Sequence, residues 1–324
     1  MPANRKIKIF LQILGPLIFI YILSKIDYQI LFEEIKLLKW YFLVLAAGLM
    51  IFEIVVRSLR WRTILLSLNI NISKLSSIKL HWLGIFIGII TPGRFGELIK
   101  VYFLKKRSYN IFRSFFSIIL DRTIDILILL FFGLLIFFFF LKDIGIYIIP
   151  FGLILLLVII FIFLLIDQRS YLHKLFGRFV QKILHVEFKN YSRFTFSKFW
   201  QGIKGLKKKD VIYFFIYLIV SWCLYFLVRY VIALSLGLDL SFINISIISI
   251  LVAIVTILPI SIAGLGTREA AVIYLFSLFG LSKEMALLFS LLILTIDILT
   301  ISFGLIPYLK ESALINKVKS YEFK

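Results

Sequence analysis

The chain has 324 residues, of which 62% are hydrophobic and 35 are phenylalanine, with a mean hydropathy of +1.05. No soluble fold of this length hides so much apolar surface, so composition excludes a water-soluble enzyme or binding domain. The formal charge of +20 calls for an anionic partner, which in a membrane protein is a lipid headgroup surface rather than nucleic acid.

In chain order, apolar segments at roughly 8–24, 40–57, 115–141, 145–166, 211–236 and 285–309 are each long enough to cross a hydrocarbon core about 30 Å thick. The first follows Arg5, Lys6 and Lys8 like a signal peptide, but no small-residue cleavage site follows it, and it is expected to remain as a span. Two further apolar regions, roughly 78–104 and 243–279, are interrupted by Thr91 to Glu97 and by Pro259 to Glu269. Proline removes an amide donor and glycine frees the backbone, so a helix ends at each interruption.

Counting Lys and Arg decides whether the broken regions cross or turn back. With both as re-entrant hairpins, one side holds 28 basic residues and the other 5, and Arg94, Arg122, Arg229 and Arg268 stay within the membrane. The positive-inside rule then puts both termini in the cytoplasm of a multi-pass protein of the cytoplasmic membrane. On that side, Leu172 to Leu184 has the spacing of an interfacial amphipathic helix, or forms a solvated basic loop.

The chain repeats itself. Arg57 and Arg229, Glu97 and Glu269, and the pentapeptides Thr123 to Leu127 and Thr295 to Leu299 all lie 172 positions apart. Leu66-Ser67-Leu68 and Leu234-Ser235-Leu236 align at 168, which places a four-residue gap between the copies. The expected architecture is a single all-α polytopic membrane domain over 1–324, with about six transmembrane helices and two re-entrant helical hairpins. Repeat 1 covers 40–141, a span and basic loop cover 142–210, and repeat 2 covers 211–309 in inverted orientation. Interrupted helices in inverted repeats place a binding site where the hairpin tips meet near the midplane.

Ionisable residues inside a membrane are costly and mark function by default. The first tip offers Arg94 and Glu97 beside Gly93 and Gly96, and the second offers Arg268 and Glu269 beside Gly264 and Gly266. Each tip either neutralises itself as an ion pair or holds a phosphate, for which the arginine fork and the free amides of a helix start are suited. Asp121, Arg122 and Asp125 form a candidate proton or cation relay, with Asp297 matching Asp125; alternatively Asp125 and Asp297 are counter-charges for the hairpin arginines. Arg57, Arg60 and Arg62 read as a headgroup-attracting mouth or as positive-inside anchors, with Glu53 pairing to Arg57 one turn away. Arg229 lies deeper in its span. Gly84 and Gly88 form a GxxxG pattern that implies close packing within the first hairpin.

The single cysteine, Cys223, excludes a disulfide framework, and His81, His173 and His185 have no metal-ligand spacing; His81 reads as a polar residue near the interface. No catalytic constellation or cofactor motif is present, so the expectation is a protein that is not an enzyme.

Pro92-Gly93-Arg94-Phe95-Gly96-Glu97, Asp121-Arg122 and the stretch Leu258 to Glu269 together resemble the membrane region of the lysylphosphatidylglycerol synthase family, over about residues 8–310. That region is the flippase-like domain of the multiple peptide resistance factor, and it also occurs alone or beside glycosyltransferases. The resemblance implies lipid translocation, with an anionic phospholipid, an aminoacylated phospholipid or a polyprenyl phosphate as the lipid. The 324 residues hold no synthase domain, so aminoacyl transfer is not expected. A separate synthase or glycosyltransferase partner and a homo-oligomer are compatible with it, as are a membrane-subunit role in lipid modification and a purely structural one.

Overall fold

The computed structural model describes residues 3–91, 96–140, 208–257 and 264–306. The expected span at 145–166, the interfacial helix at 172–184 and the tip residues Pro92, Gly93, Arg94, Phe95 and Leu258 to Ala263 lie outside them. The described residues form ten α-helices joined by turns: α1 (Ala3–Ser24), α2 (Tyr28–Lys36), α3 (Trp40–Ser67), α4 (Lys74–Ile90), α5 (Ile99–Lys106), α6 (Ile111–Phe140), α7 (Lys208–Ser235), α8 (Phe242–Ile257), α9 (Thr267–Ser277) and α10 (Lys283–Ser302). The protein is an all-α membrane protein. Helices α3, α7 and α10 are each long and apolar enough to span, and α1 with α2 makes a fourth candidate bent by 88°.

Leucine, isoleucine and phenylalanine dominate both faces of these helices, as expected where the outer face meets lipid rather than water. Val44, Phe52, Ile219 and Leu299 are all more than half exposed. Asp27 caps α2 by accepting from the amides of Gln29 and Ile30, and Ser73 and Ser282 cap α4 and α10 through the amides of Ser76 and Met285.

The core is organised around α3 and α7, which make the most extensive helix contact. The Lys39 amide donates to the Ser235 carbonyl at 2.9 Å, so the start of α3 sits at the end of α7 and the matched helices run antiparallel. The first part of α3 (Ala46, Met50, Ile54) belongs to the core formed by α7 to α10, whereas its last part (Trp61, Ile64, Leu65) packs with Leu80 and Leu83 of α4 and Phe103 and Leu104 of α5. One helix therefore ties the two halves together.

The broken regions are helical hairpins: α4 packs on α5, and α8 on α9. A Cβ on Gly84 would approach the Lys100 side chain to 2.9 Å, and one on Gly96 would strike the Ile87 carbonyl. Glycine is what lets these arms meet. Gly266, at φ +83°, is a different case, because its missing Cβ makes room for the Gly15 carbonyl of α1.

The four-residue gap does not fall within the first helix of the repeat. Helices α3 and α7 both have 28 residues, and they and α4 and α8 begin 168 positions apart, whereas α6 and α10 begin 172 apart. The difference is taken up between them, where α9 has 11 residues and α5 has 8. Arg229 consequently sits one helical turn further along α7 than Arg57 does along α3.

Candidate functional site

In the first half the charges form a dense network. Arg57 donates through Nη1 to Glu53 Oε1 at 3.3 Å and through Nη2 to Asp125 Oδ2 at 2.8 Å. Arg60, fully buried, bridges Asp121 (Nη2 to Oδ1, 2.7 Å) and Asp125 (Nη1 to Oδ1, 2.7 Å). Glu97 accepts from Arg122 Nε at 3.2 Å and from Lys100 Nζ at 3.0 Å, and Arg122 Nη2 also pairs with it. The Lys100 ammonium, buried completely, lies 4.8 Å from the centre of the Trp61 ring. Charges removed from water to this degree are costly unless they are paired.

The second half is sparser. Arg268 donates through Nη2 to Glu269 Oε1 at 2.8 Å and through Nε to Ser290 Oγ at 2.9 Å, and Ser290 in turn donates to Glu269 at 2.9 Å. The other oxygen of Glu269 accepts from the Gly266 amide at 2.6 Å, closing the start of α9 as a capping-box glutamate does. Arg229 Nη2 lies 3.7 Å from Asp297 Oδ1, and its guanidinium is 4.2 Å above the Tyr225 ring.

Between the halves is a cavity of about 310 Å³. Arg57, Arg122, Arg229 and Arg268 line it together with Glu53, Asp125 and Asp297. Thr91 at the end of α4 and Gly264 ahead of α9 also line it, and apolar side chains such as Ile54, Ile89, Val252 and Phe289 complete it. Few convergent polar groups in an apolar cavity are the usual make-up of a small-ligand site.

Of the residues singled out in the sequence, Arg122, Asp125, Arg229, Gly264, Arg268 and Asp297 meet at this cavity. Glu97 and Glu269 stand behind it, each buried and bonded to a lining arginine, Arg122 and Arg268 respectively, while Asp121 is buried against Arg60, which is not part of the lining. Gly96 and Gly266 serve helix approach, not the lining. Gly93 and Arg94 lie outside the described residues.

Asp297 lies 3.7 Å from Arg229 of α7 rather than against Arg268, and Asp125 pairs with Arg57 and Arg60 of α3; whether Asp125 also faces Arg94 lies outside the described residues. Arg60 is buried with its fork taken up by Asp121 and Asp125, so it is not an exposed mouth for headgroups. His81 is 1% exposed and packs 6.0 Å from Trp61, so it is enclosed by protein rather than open to solvent. Lys100, Tyr225, Ser290 and Thr91 are site residues that sequence reasoning does not single out. Lys100 alone carries a signal, since a lysine three residues after Glu97 is placed to pair with it.

Fold and site together define a membrane protein of two matched helical halves that enclose a charged cavity. The chain belongs to the lysylphosphatidylglycerol synthase TM region family, which matches residues 9–303. It is similar to the UPF0104 membrane protein PH1989 of Pyrococcus horikoshii, 28% identical over 271 residues, covering 76% of this chain and 79% of that protein. No solved structure matches it.

Proposed function

We propose that the protein translocates a phosphate-bearing lipid across the cytoplasmic membrane, with the headgroup in the cavity and the acyl or prenyl tails left in the bilayer. Both termini are cytoplasmic in this reading, and the protein performs transport rather than bond chemistry. The observation that supports it most is the four-arginine cavity between antiparallel halves. Guanidinium forks suit phosphate oxygens, and two matched halves around one site allow access to alternate between faces. The candidate lipids are anionic phospholipids, aminoacylated phospholipids and polyprenyl phosphates.

The test is headgroup-resolved translocation in proteoliposomes across those three classes. Arg229→Lys and Arg268→Lys keep the charge but lose the fork, and each should slow translocation about tenfold or more while the protein remains folded. Unchanged rates in both variants would remove the phosphate site. If no lipid moved faster than in protein-free liposomes, a membrane-subunit role beside a separate synthase or glycosyltransferase would replace transport.

A further inference from the structure

The arginines around the cavity are not equally available to a ligand. Arg57 donates to Glu53 and Asp125, Arg122 to Glu97, and Arg268 to Glu269 and Ser290. Arg229 is 3.7 Å from Asp297, beyond a good hydrogen bond, and its Nη1 is the only buried arginine nitrogen among the described residues without a hydrogen-bond partner. The residue is 8% exposed and lines the cavity. A buried charged donor left unmade is unfavourable, and a ligand oxygen relieves it.

The neighbours of Arg229 hold it in this state. Tyr225, one turn earlier on α7, stacks 4.2 Å from the guanidinium carbon, and Trp222 braces Tyr225 edge-on at 5.4 Å. Both line the cavity. The first half has Glu53 one turn before its matched arginine, and Glu53 takes up Arg57 directly. A carboxylate there quenches the arginine, whereas an aromatic ring fixes its plane and leaves its donor free.

We infer that a phosphate oxygen of the ligand docks on the Arg229 guanidinium, that Tyr225 is its positioning residue, and that Arg229 is the primary anion contact among the four arginines of the cavity. The inference rests on reading the cavity as a ligand site. Its test is binding of dioctanoyl phosphatidylglycerol to the purified full-length protein in detergent, with dioctanoylglycerol as the control that lacks the phosphate and inorganic phosphate as competitor. Phosphatidylglycerol should bind and dioctanoylglycerol should not. Arg229→Lys and Tyr225→Leu should each weaken binding about tenfold. Tyr225→Phe should bind like the native protein, and Tyr225→Glu, which rebuilds the first-half arrangement, should bind as poorly as Arg229→Lys. Displacement by inorganic phosphate would support the site and add free phosphate as a ligand; failure to displace would support it with the lipid as the source. Equal binding of both lipids, or equal weakness of the Phe and Leu variants, would overturn it. Binding that follows this pattern without translocation in liposomes would sink the transport reading and leave the docking site standing.

Discussion

The two halves share a plan and differ in how they are held together. Three residues after the matched arginine, the first half has Arg60 and the second Ile232; four before the matched aspartate, it has Asp121 where the second has Ile293. The first pair is a buried ion pair at 2.7 Å, and the second pair belongs to the apolar core. Arg122, which reaches Glu97, has Leu294 as its counterpart, and both line the cavity. A buried ion pair and a packed hydrophobic pair are close substitutes in energy, because desolvation offsets most of the Coulomb gain. What differs is fragility: half an ion pair is far worse than none.

That difference can be broken first at Arg60. Arg60→Ala should destabilise the protein by about 3–5 kcal/mol, since Asp121 is left buried and charged. The double change Arg60→Ile/Asp121→Ile, which copies the second half, should recover most of that loss in thermal unfolding. If the single variant cost nothing, the ionic first half would not be stabilised as described. Next in size are the hairpin glycines. Gly96→Ala and Gly266→Ala should each cost roughly 1–3 kcal/mol through overpacking. They should act in different places, because Gly96 meets its own hairpin and Gly266 meets α1. Hydrogen exchange in α1 should rise only in Gly266→Ala. The smallest effect belongs to Ser290, whose first-half counterpart is Ile118. Ser290→Ala should cost about 1 kcal/mol, and a much larger loss would mean that Arg268 and Glu269 depend on the hydroxyl as a third member.

Charges in apolar stretches stand out in a sequence, and for that reason the repeat, the hairpins and most of the arginines and carboxylates at the cavity are legible in the order of residues alone. Two kinds of residue are not. Arg60 and Lys100 lie close to clusters of basic residues, where counting charge assigns them to the cytoplasmic face; only the depth of α3 and the turn of the hairpin bury them. Tyr225 and Ser290 are ordinary residues for an apolar helix, and nothing in their spacing announces that they stack on or bridge an arginine. The short helix α2 also escapes a reading by periodicity although Asp27 is a fair capping signal, since its nine residues are too few to show a convincing apolar period.

The one-turn displacement of Arg229 relative to Arg57 bears on how such a duplicated chain can drift. Four residues of helix return a side chain to nearly the same bearing, so the copies could slip by that amount and keep each arginine opposite its aspartate. A slip of two would have turned the guanidinium to the far side of the helix, towards lipid. A shift of one turn is thus tolerated within helices of equal length, and arginines 172 apart in helices that begin 168 apart record one such step.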